Sequence, residues 1–327
     1  MMPAPRQDHR PSWPRVEAMI DGILARRYYT NHGPLAQALE ARLAEAHAVP
    51  HAIAVTNPAI ALIMAIEGLG LRGAVALSAL APRRCAQAIA WAGLAPVFCE
   101  VDRAGFTLTA ATAGARLTPD VGAILAGPAD ARSDLAALAA VRGVAFIAEG
   151  APWAGQGVGV LALPGQGDDA GAACLLTSDD ALAARLRSIR SSYGASNPVP
   201  VARTANGRLS EAQAAMALLS LETAGAATSH AAAVRAAYRA GLPGARLLDL
   251  RSAIAIIPDT LGQAEALARL RGAGWPAQMP APPDPRATSC PNAAAFSSRA
   301  VLLPVGPTIT TAAATAMCGA LMGRPGG

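Results

Sequence analysis

Along most of the chain, segments in which apolar residues recur every three or four positions alternate with short continuous apolar runs. In PLAQALEARLAEAHAV, the residues Leu35, Leu39, Leu43 and Ala46 recur at the interval that places them on one face of a helix. Short apolar runs bounded by turn residues, such as HAIAVTN, indicate buried strands instead. The two kinds of segment follow each other repeatedly, which predicts an α/β fold with a mostly parallel sheet and helices on both faces.

The alternation can be written out segment by segment. The predicted strands are HAIAVTN, AVALSAL, APVFCEVD, DVGAILAG, VAFIAEGA and CLLTSD. The predicted helices among them are AIALIMAIEGLGL, RRCAQAIAWAG, SDLAALAAVRG and SDDALAARLRSIRSS, and RVEAMIDGILA precedes them all. Ser178 is the expected N-cap of the last helix of the series.

The second half of the chain begins with a long helical pattern over residues 209–238, where Ser210 and Gln213 have the spacing of a capping box. A strand (SAIAIIPD), a helix (GQAEALARLRGAG), a proline-rich connector and a final helix (TTAAATAMCGALMG) follow. The predicted division has three parts: an N-terminal segment that contributes to the small domain (1–32), a large α/β domain (33–225) and a small α+β domain (226–327).

Composition limits where such a protein acts. The 327 residues are 53% hydrophobic and 4% aromatic, alanine is the commonest apolar residue, and the apolar runs are too short to span a bilayer. The N-terminus lacks the apolar core of a signal peptide. The five scattered cysteines form no CxxC pair, so we expect buried thiols in the cytoplasm. The net charge of +5 comes from dispersed arginines, which predicts neither nucleic-acid nor membrane binding.

One compositional fact bears directly on chemistry. The 27 residues of the lysine and arginine class are all arginine, so the chain contains no lysine. Arginine can replace lysine as a surface cation. It cannot replace a lysine whose amine reacts, because the guanidinium stays protonated and is a poor nucleophile.

Five segments, in order, resemble one protein family. YYTNHGPLAQALEARLAEAHAV, HAIAVTNPAIALIMAIEGLGL and WAGLAPVFCEVDRAGFTL are similar to the DegT/DnrJ/StrS sugar-nucleotide aminotransferases. TANGRLSEAQAAMALLSLE resembles the family's N-x-R-(M/L)-x-E-x-Q-A-A segment, and CPNAAAFSSRAVLLPVGPTIT resembles its small-domain signature. The resemblance implies the fold-type I structure of enzymes that use pyridoxal phosphate (PLP), usually as homodimers with active sites at the subunit interface.

The resemblance also implies where catalytic groups should stand, and several are missing. The Schiff-base lysine of the family falls near Gly165 or Gln166. The family's phosphate-binding serine corresponds to Val160, and its phosphate loop S-N-G-T-x-A-L becomes TNPAIAL. In that loop Pro58 has no N–H and Ala59 has no hydroxyl, so both lose a phosphate contact.

The ring-binding positions of the family are altered as well. Pro82 matches the aromatic residue that stacks on the pyridine ring, and Glu149 matches the aspartate that pairs with the pyridinium nitrogen. Pro152 matches a histidine or glutamine of the same motif, and Tyr193 takes the place of a further histidine. These changes predict that no cofactor is bound.

Asn206 and Arg208 still match the family's N-x-R segment, which in the homodimers reaches into the neighbouring subunit's site. They would either order a loop and cap the long helix or complete the site of an active partner. Asp168, followed by Asp169, is an acid/base candidate or part of a polar turn. Glu149 is likewise either a ligand-binding carboxylate at the end of a strand or a buried structural one.

Three functions remain open at this stage. The leading hypothesis is an inactive aminotransferase homologue, a dimer subunit, scaffold or regulator in sugar or secondary-metabolite biosynthesis. Its partner would be itself or an active paralogue, with a small-molecule or sugar-nucleotide ligand. The second is a PLP-independent enzyme that uses Glu149 as acid or base, with Asp168 or Tyr193. The third is a working sugar aminotransferase of the family.

Overall fold

The computed structural model describes residues 11–150, 155, 157–163, 171–191, 198–250, 253–258 and 261–323. The chain divides into two compact units, and the boundary between them falls inside the longest helix. The larger unit contains residues 11–100 and 107–222, and the smaller contains 101–106 and the chain from 223 onward. Residues 11–32 group with the larger unit, whereas the sequence analysis assigned 1–32 to the small domain. The division into an N-terminal segment, a large domain and a small domain with separate functions stays a prediction.

In the described part of the larger unit, seven strands form one sheet in the order β1-β7-β6-β5-β4-β2-β3. The strands are β1 (His51–Val55), β2 (Ala74–Ser78), β3 (Ala95–Cys99), β4 (Val121–Ala126), β5 (Ala145–Glu149), β6 (Val158–Ala162) and β7 (Ala173–Thr177). The pairs β2–β3, β2–β4, β4–β5 and β5–β6 are parallel, and β7 is antiparallel to both β1 and β6. The predicted α/β class with a mostly parallel sheet is confirmed.

Helices precede and connect these strands. They are α1 (Trp13–Arg26), α2 (Pro34–Ala46), α3 (Pro58–Gly68), α4 (Arg83–Trp91), α5 (Ala110–Gly114), α6 (Arg132–Arg142), α7 (Asp180–Arg190) and α8 (Glu211–Gly241). A hydrophobic core cluster of this unit is built largely of alanine and leucine side chains from α2, the sheet and α6. A sheet with so many small residues leaves little room between layers, which fits the alanine-rich composition.

The smaller unit has an antiparallel sheet in the order β10-β9-β8. Its elements, besides the end of α8, are β8 (Arg246–Asp249), β9 (Ala253–Ile257), α9 (Gln263–Gly272), α10 (Pro291–Arg299), β10 (Val301–Pro304) and α11 (Thr311–Leu321). Buried Tyr238 of α8 donates its hydroxyl to Pro304 O at 3.0 Å. Burial raises the pKa of that hydroxyl above its ordinary range.

Two details of the predicted elements need correction. The N-cap of α7 is Asp179, whose Oδ1 accepts the Leu182 N–H at 2.9 Å, and not Ser178. In α2 the buried face contains Ala36, Glu40 and the two leucines Leu39 and Leu43, whereas Ala46 is exposed. The carboxylate of Glu40 is therefore buried on a helix face for which the hydrophobic pattern predicted only apolar side chains.

The capping box at the start of α8 is confirmed. The Ser210 Oγ accepts the Gln213 N–H at 3.1 Å, and the Gln213 side-chain oxygen accepts the Ser210 N–H at 3.2 Å. Within the described residues, none of the helices has both the length and the apolar character that crossing a membrane requires.

Candidate functional site

The carboxyl ends of the parallel strands meet at one edge of the larger sheet, and Glu149 ends β5 there. Its side chain is buried and forms an ion pair with Arg84 through Oε1. Its other oxygen, Oε2, accepts the thiol of Cys85 at 3.1 Å. Arg84 and Cys85 are the second and third residues of α4, so the helix that follows β2 brings both groups to the end of β5.

A second arginine reaches the same strand end from the helix that follows β4. Arg132, the first residue of α6, donates Nη2 to the backbone oxygen of Glu149 and Nε to Gly127 O at 2.9 Å. Asp130 lies beside it and accepts the N–H groups of Gly127 (2.7 Å) and Leu108 (2.8 Å). Two guanidinium groups and two carboxylates thus form a network at this edge.

Burial shifts the pKa values of two groups in this network, Asp130 and Arg132. It raises the pKa of Asp130 above the ordinary value, despite the two amide bonds and the nearby Arg132 charge. It lowers the pKa of Arg132, against the charges of Asp130 and Glu149.

The arginines of this network were missed in the sequence analysis, although a signal existed. Arg83, Arg84 and Arg132 stand in the first turns of helices, where the helix dipole disfavours a cation. A cation in that position indicates a specific anionic or carbonyl partner. The structure supplies one for Arg84 and Arg132, both near Glu149.

The start of α3, where the family motif has its phosphate loop, makes its own internal contacts. Asn57 caps the helix, and its Oδ1 accepts the Ile60 N–H at 2.9 Å. Pro58 is buried at the first helical position and Ala59 follows it. Pro58 has no N–H, and the Ile60 N–H is donated to Asn57. Two of the first three positions of α3 therefore have no N–H left for a bound ligand. Val160 is also buried, on β6 opposite Glu149.

Asn206 and Arg208 lie in the segment before α8 and contact each other. The Arg208 Nε donates to Asn206 Oδ1 at 3.1 Å, and its Nη1 donates to Asn31 Oδ1 at 2.6 Å. Asn206 (φ 47°), Asn31 (φ 65°) and His32 (φ 59°) all adopt the left-handed conformation. Conformations of this kind persist only where surrounding contacts enforce them. The two segments therefore form one ordered surface.

Glu211, three residues further on, has a role that the sequence pattern did not indicate. It is fully buried, and its two oxygens accept the N–H groups of Leu35 (2.9 Å) and Ala36 (3.0 Å). These are the second and third residues of α2, so a side chain from α8 caps a distant helix. A carboxylate is favoured there because it satisfies two amides and faces the positive end of the helix dipole.

A second buried cluster was also missed. The Glu40 side chain is bonded to His32 Nε2 (2.8 Å), Arg190 Nη1 (2.5 Å) and the Ala54 N–H (2.8 Å). Burial alone would raise the pKa of Glu40, but the His32 bond and the Arg190 charge outweigh it, and the pKa lies below its usual value. This cluster fixes the loop before α2, in which His32 lies.

Five of the candidate residues lie outside the described part of the chain: Gly165, Gln166, Asp168, Pro152 and Tyr193. Pro82 is exposed and forms the N-cap of α4. Of the candidates that are described, Glu149 and Val160 are neighbours across β5 and β6. Asn206 and Arg208 pair with each other. No group of histidine, cysteine, aspartate and glutamate side chains that could hold a metal is present among the described residues.

Residues 15–163 match the model of the DegT/DnrJ/EryC1/StrS aminotransferase family. This part of the chain is similar to a domain of that family. The resemblance seen in the sequence is therefore confirmed. Members of the family are PLP-dependent and typically dimeric.

The relatives found by sequence match only part of the chain. A dTDP-4-amino-4,6-dideoxy-D-glucose transaminase from Escherichia coli is 32% identical over 119 residues, which are 36% of this chain and 32% of the relative. A transaminase with the same name from Shigella dysenteriae matches over the same shares at 30% identity. The match spans about a third of the length of these relatives.

Solved structures cover the whole fold at low sequence identity. DesI, crystallised in the presence of its TDP-sugar product, has a TM-score of 0.83 at 23% identity, covering 98% of this chain and 96% of DesI. Because the identity is low, this similarity supports the fold alone: the α/β architecture of the fold-type I aminotransferases.

Proposed function

We propose that this chain is an aminotransferase-fold protein without aminotransferase activity of its own, acting as a dimer subunit in sugar or secondary-metabolite biosynthesis. The observation that carries the proposal is the ion pair between Arg84 and Glu149. The carboxylate in the position that faces a pyridinium nitrogen in the family is already neutralised by a side chain of this chain. The absence of any lysine agrees with this reading.

The residues present do not fit PLP. The cofactor needs an amine, a phosphate cradle and a carboxylate for its ring nitrogen. No lysine exists to supply the amine, Pro58 has no N–H, and the Ile60 N–H is donated to Asn57. A lost charge-assisted phosphate bond costs about 1.5–3 kcal/mol, so several such losses together weaken binding by orders of magnitude.

Titration of the purified chain with PLP tests this directly. We expect no visible absorption band of lysine-bound cofactor, no thermal stabilisation, and no amino transfer to a keto-sugar nucleotide. A lysine-bearing member of the family in the same buffer serves as the positive control. A saturable rise in the unfolding temperature with PLP, or amino transfer by the pure chain, would refute the proposal.

The partner is proposed from the segment that keeps its family residues. Arg208 is bonded to both Asn206 and Asn31, and Tyr29, whose backbone oxygen accepts the Glu211 N–H at 2.9 Å, is 53% exposed. Exposed aromatic residues next to ordered polar ones are typical of interfaces. We place an active, lysine-bearing paralogue here, whose site would receive Asn206 and Arg208; a second copy of this chain is the alternative partner.

Purification from the native host distinguishes these partners. We expect a lysine-bearing family member to co-purify in stoichiometric amount, whereas a clean homodimer would contradict the heterodimer. In the complex, Arg208→Ala should lower the partner's kcat/KM for its sugar-nucleotide substrate about tenfold or more, because one charge-assisted contact is lost. Arg203→Ala, a change at a side chain that is 67% exposed, is the matched control and should leave kcat/KM unchanged.

The two other hypotheses have less support. A PLP-independent enzyme would need Glu149 to exchange protons, but its oxygens are bonded to Arg84 and Cys85 and it is 5% exposed. Asp168 and Tyr193, its suggested partners, lie outside the described residues. An active sugar aminotransferase would need the missing amine.

We also propose that the protein is located in the cytoplasm. The five cysteines are buried free thiols, which fits a reducing compartment.

A further inference from the structure

A small cavity lies within the smaller unit, and none of the residues of the candidate functional site lines it. It measures about 110 Å³ and is lined by residues 104–106, by parts of β8 and β9, and by Phe296 of α10. The rings of Phe106 and Phe296 are 7% and 4% exposed, and their centroids lie 5.2 Å apart at a tilt of 45°. Together with Ile257 they give the cavity an apolar, aromatic wall.

The backbone at Phe106 is unusual. Its φ of 54° is left-handed, which is rare for a bulky residue and costs free energy. A tight turn enforces it: the Asp102 Oδ2 accepts the N–H groups of Ala104 (2.9 Å) and Gly105 (2.7 Å), and Asp102 O accepts the Phe106 N–H at 3.1 Å. The turn keeps this ring in the cavity wall.

Arg246 brings a positive charge to the same cavity. Its guanidinium lies 6.0 Å from the centroid of the Phe106 ring, and Nη1 donates to Arg103 O at 3.1 Å. That bond uses one of the five N–H groups of the side chain. No acidic residue is among those that line the described cavity, so the wall combines one cation with apolar surface.

We propose that this cavity binds a small aromatic carboxylate, with the ring against Phe106 and Phe296 and the carboxylate on the Arg246 guanidinium. Its 110 Å³ approach the roughly 150 Å³ of an apolar cavity that accepts benzene, and the carboxylate would remain at the exposed arginine. Arginine is suited to this ligand because its planar fork bonds both carboxylate oxygens. The site does not depend on the function proposed above, since it uses none of the same residues.

Benzoate is the probe, and its binding to the full-length chain is followed by ligand-observed NMR and isothermal titration. We expect saturable binding with a Kd of about 1 mM, the scale that a ligand of this size supports. Arg246→Gln should weaken it about tenfold or more. Arg299→Gln is the matched control, because this exposed arginine on α10 does not line the cavity, and it should bind benzoate as the unmodified chain does.

Benzylamine, which has the same ring and the opposite charge, gives a test that needs no variant. It should not bind, because it would face the Arg246 charge. Absence of saturable benzoate binding, equal binding of benzylamine, or equal benzoate affinity in the Arg246→Gln chain would each overturn the proposal. None of these results would bear on the PLP titration, so the two proposals fail separately.

Discussion

Replacement of Arg84 by methionine should destabilise the larger unit by about 3 kcal/mol, the low end of what breaking a buried ion pair costs. The side chains of Arg84 and Glu149 are 17% and 6% exposed, so water compensates little for the lost cation. Methionine preserves most of the side-chain volume and therefore isolates the charge from the packing. The measurement is urea unfolding followed by circular dichroism, with the change in midpoint converted through the slope.

Arg83→Met is the control for this prediction. Arg83 precedes Arg84 in the same helical turn and is exposed, so its replacement should change the free energy of unfolding by no more than about 0.5 kcal/mol. Combining Arg84→Met with Glu149→Gln should recover part of the loss, since the uncompensated charge is then removed. Equal stability of the Arg84→Met and Arg83→Met chains would show that the ion pair does not hold this edge of the sheet.

Glu211→Ala should cost a similar amount, about 3 kcal/mol, because two amide donors at the start of α2 lose a charged acceptor inside the protein. Glu211→Gln should cost less, since the amide oxygen can still accept one of the two N–H groups. Both values come from the same urea experiment. Hydrogen exchange at Leu35 and Ala36 should become faster in the alanine variant.

Glu222→Ala supplies the comparison on the same helix. Glu222 is ion-paired with Arg15 at 2.8 Å, but both side chains are substantially exposed, at 37% and 59%. An exposed pair of this kind contributes about 0–1 kcal/mol. If Glu211→Ala were no more destabilising than Glu222→Ala, the capping role of Glu211 would be wrong, and the family residues 206–213 would have to be retained for another reason.

The two predictions concern parts of the molecule with different roles in the proposed function. Glu211 caps α2, and Arg208, three residues before it, is bonded to Asn31 in the loop before α2. Arg84 belongs to the edge of the sheet where Glu149 is bonded to Arg84 and Cys85. A stable chain that presents the first region to a partner needs the second only as structure, which is what the proposed function requires.

The sequence by itself determined the fold class and the absence of a reactive amine. The apolar period of a helix or a strand is set by residues two to four positions apart in the sequence. Elements such as α3, α4, β2 and β5 could therefore be predicted from the sequence. Short or irregular elements such as β8, β10 and α5 carry too few residues for a period to emerge, and they were missed. The lack of lysine is a property of composition and needs no coordinates.

Only the tertiary structure decided which side chains contact each other in the candidate site and at the start of α2. Arg84 and Glu149 are 65 residues apart, and Glu211 and Ala36 are 175 apart. Such pairings arise from the order of strands in the sheet and from the docking of α8, which no local pattern encodes. The sequence therefore showed that no lysine is present, while the order of strands in the sheet determined that Arg84 pairs with the Glu149 carboxylate at the end of β5.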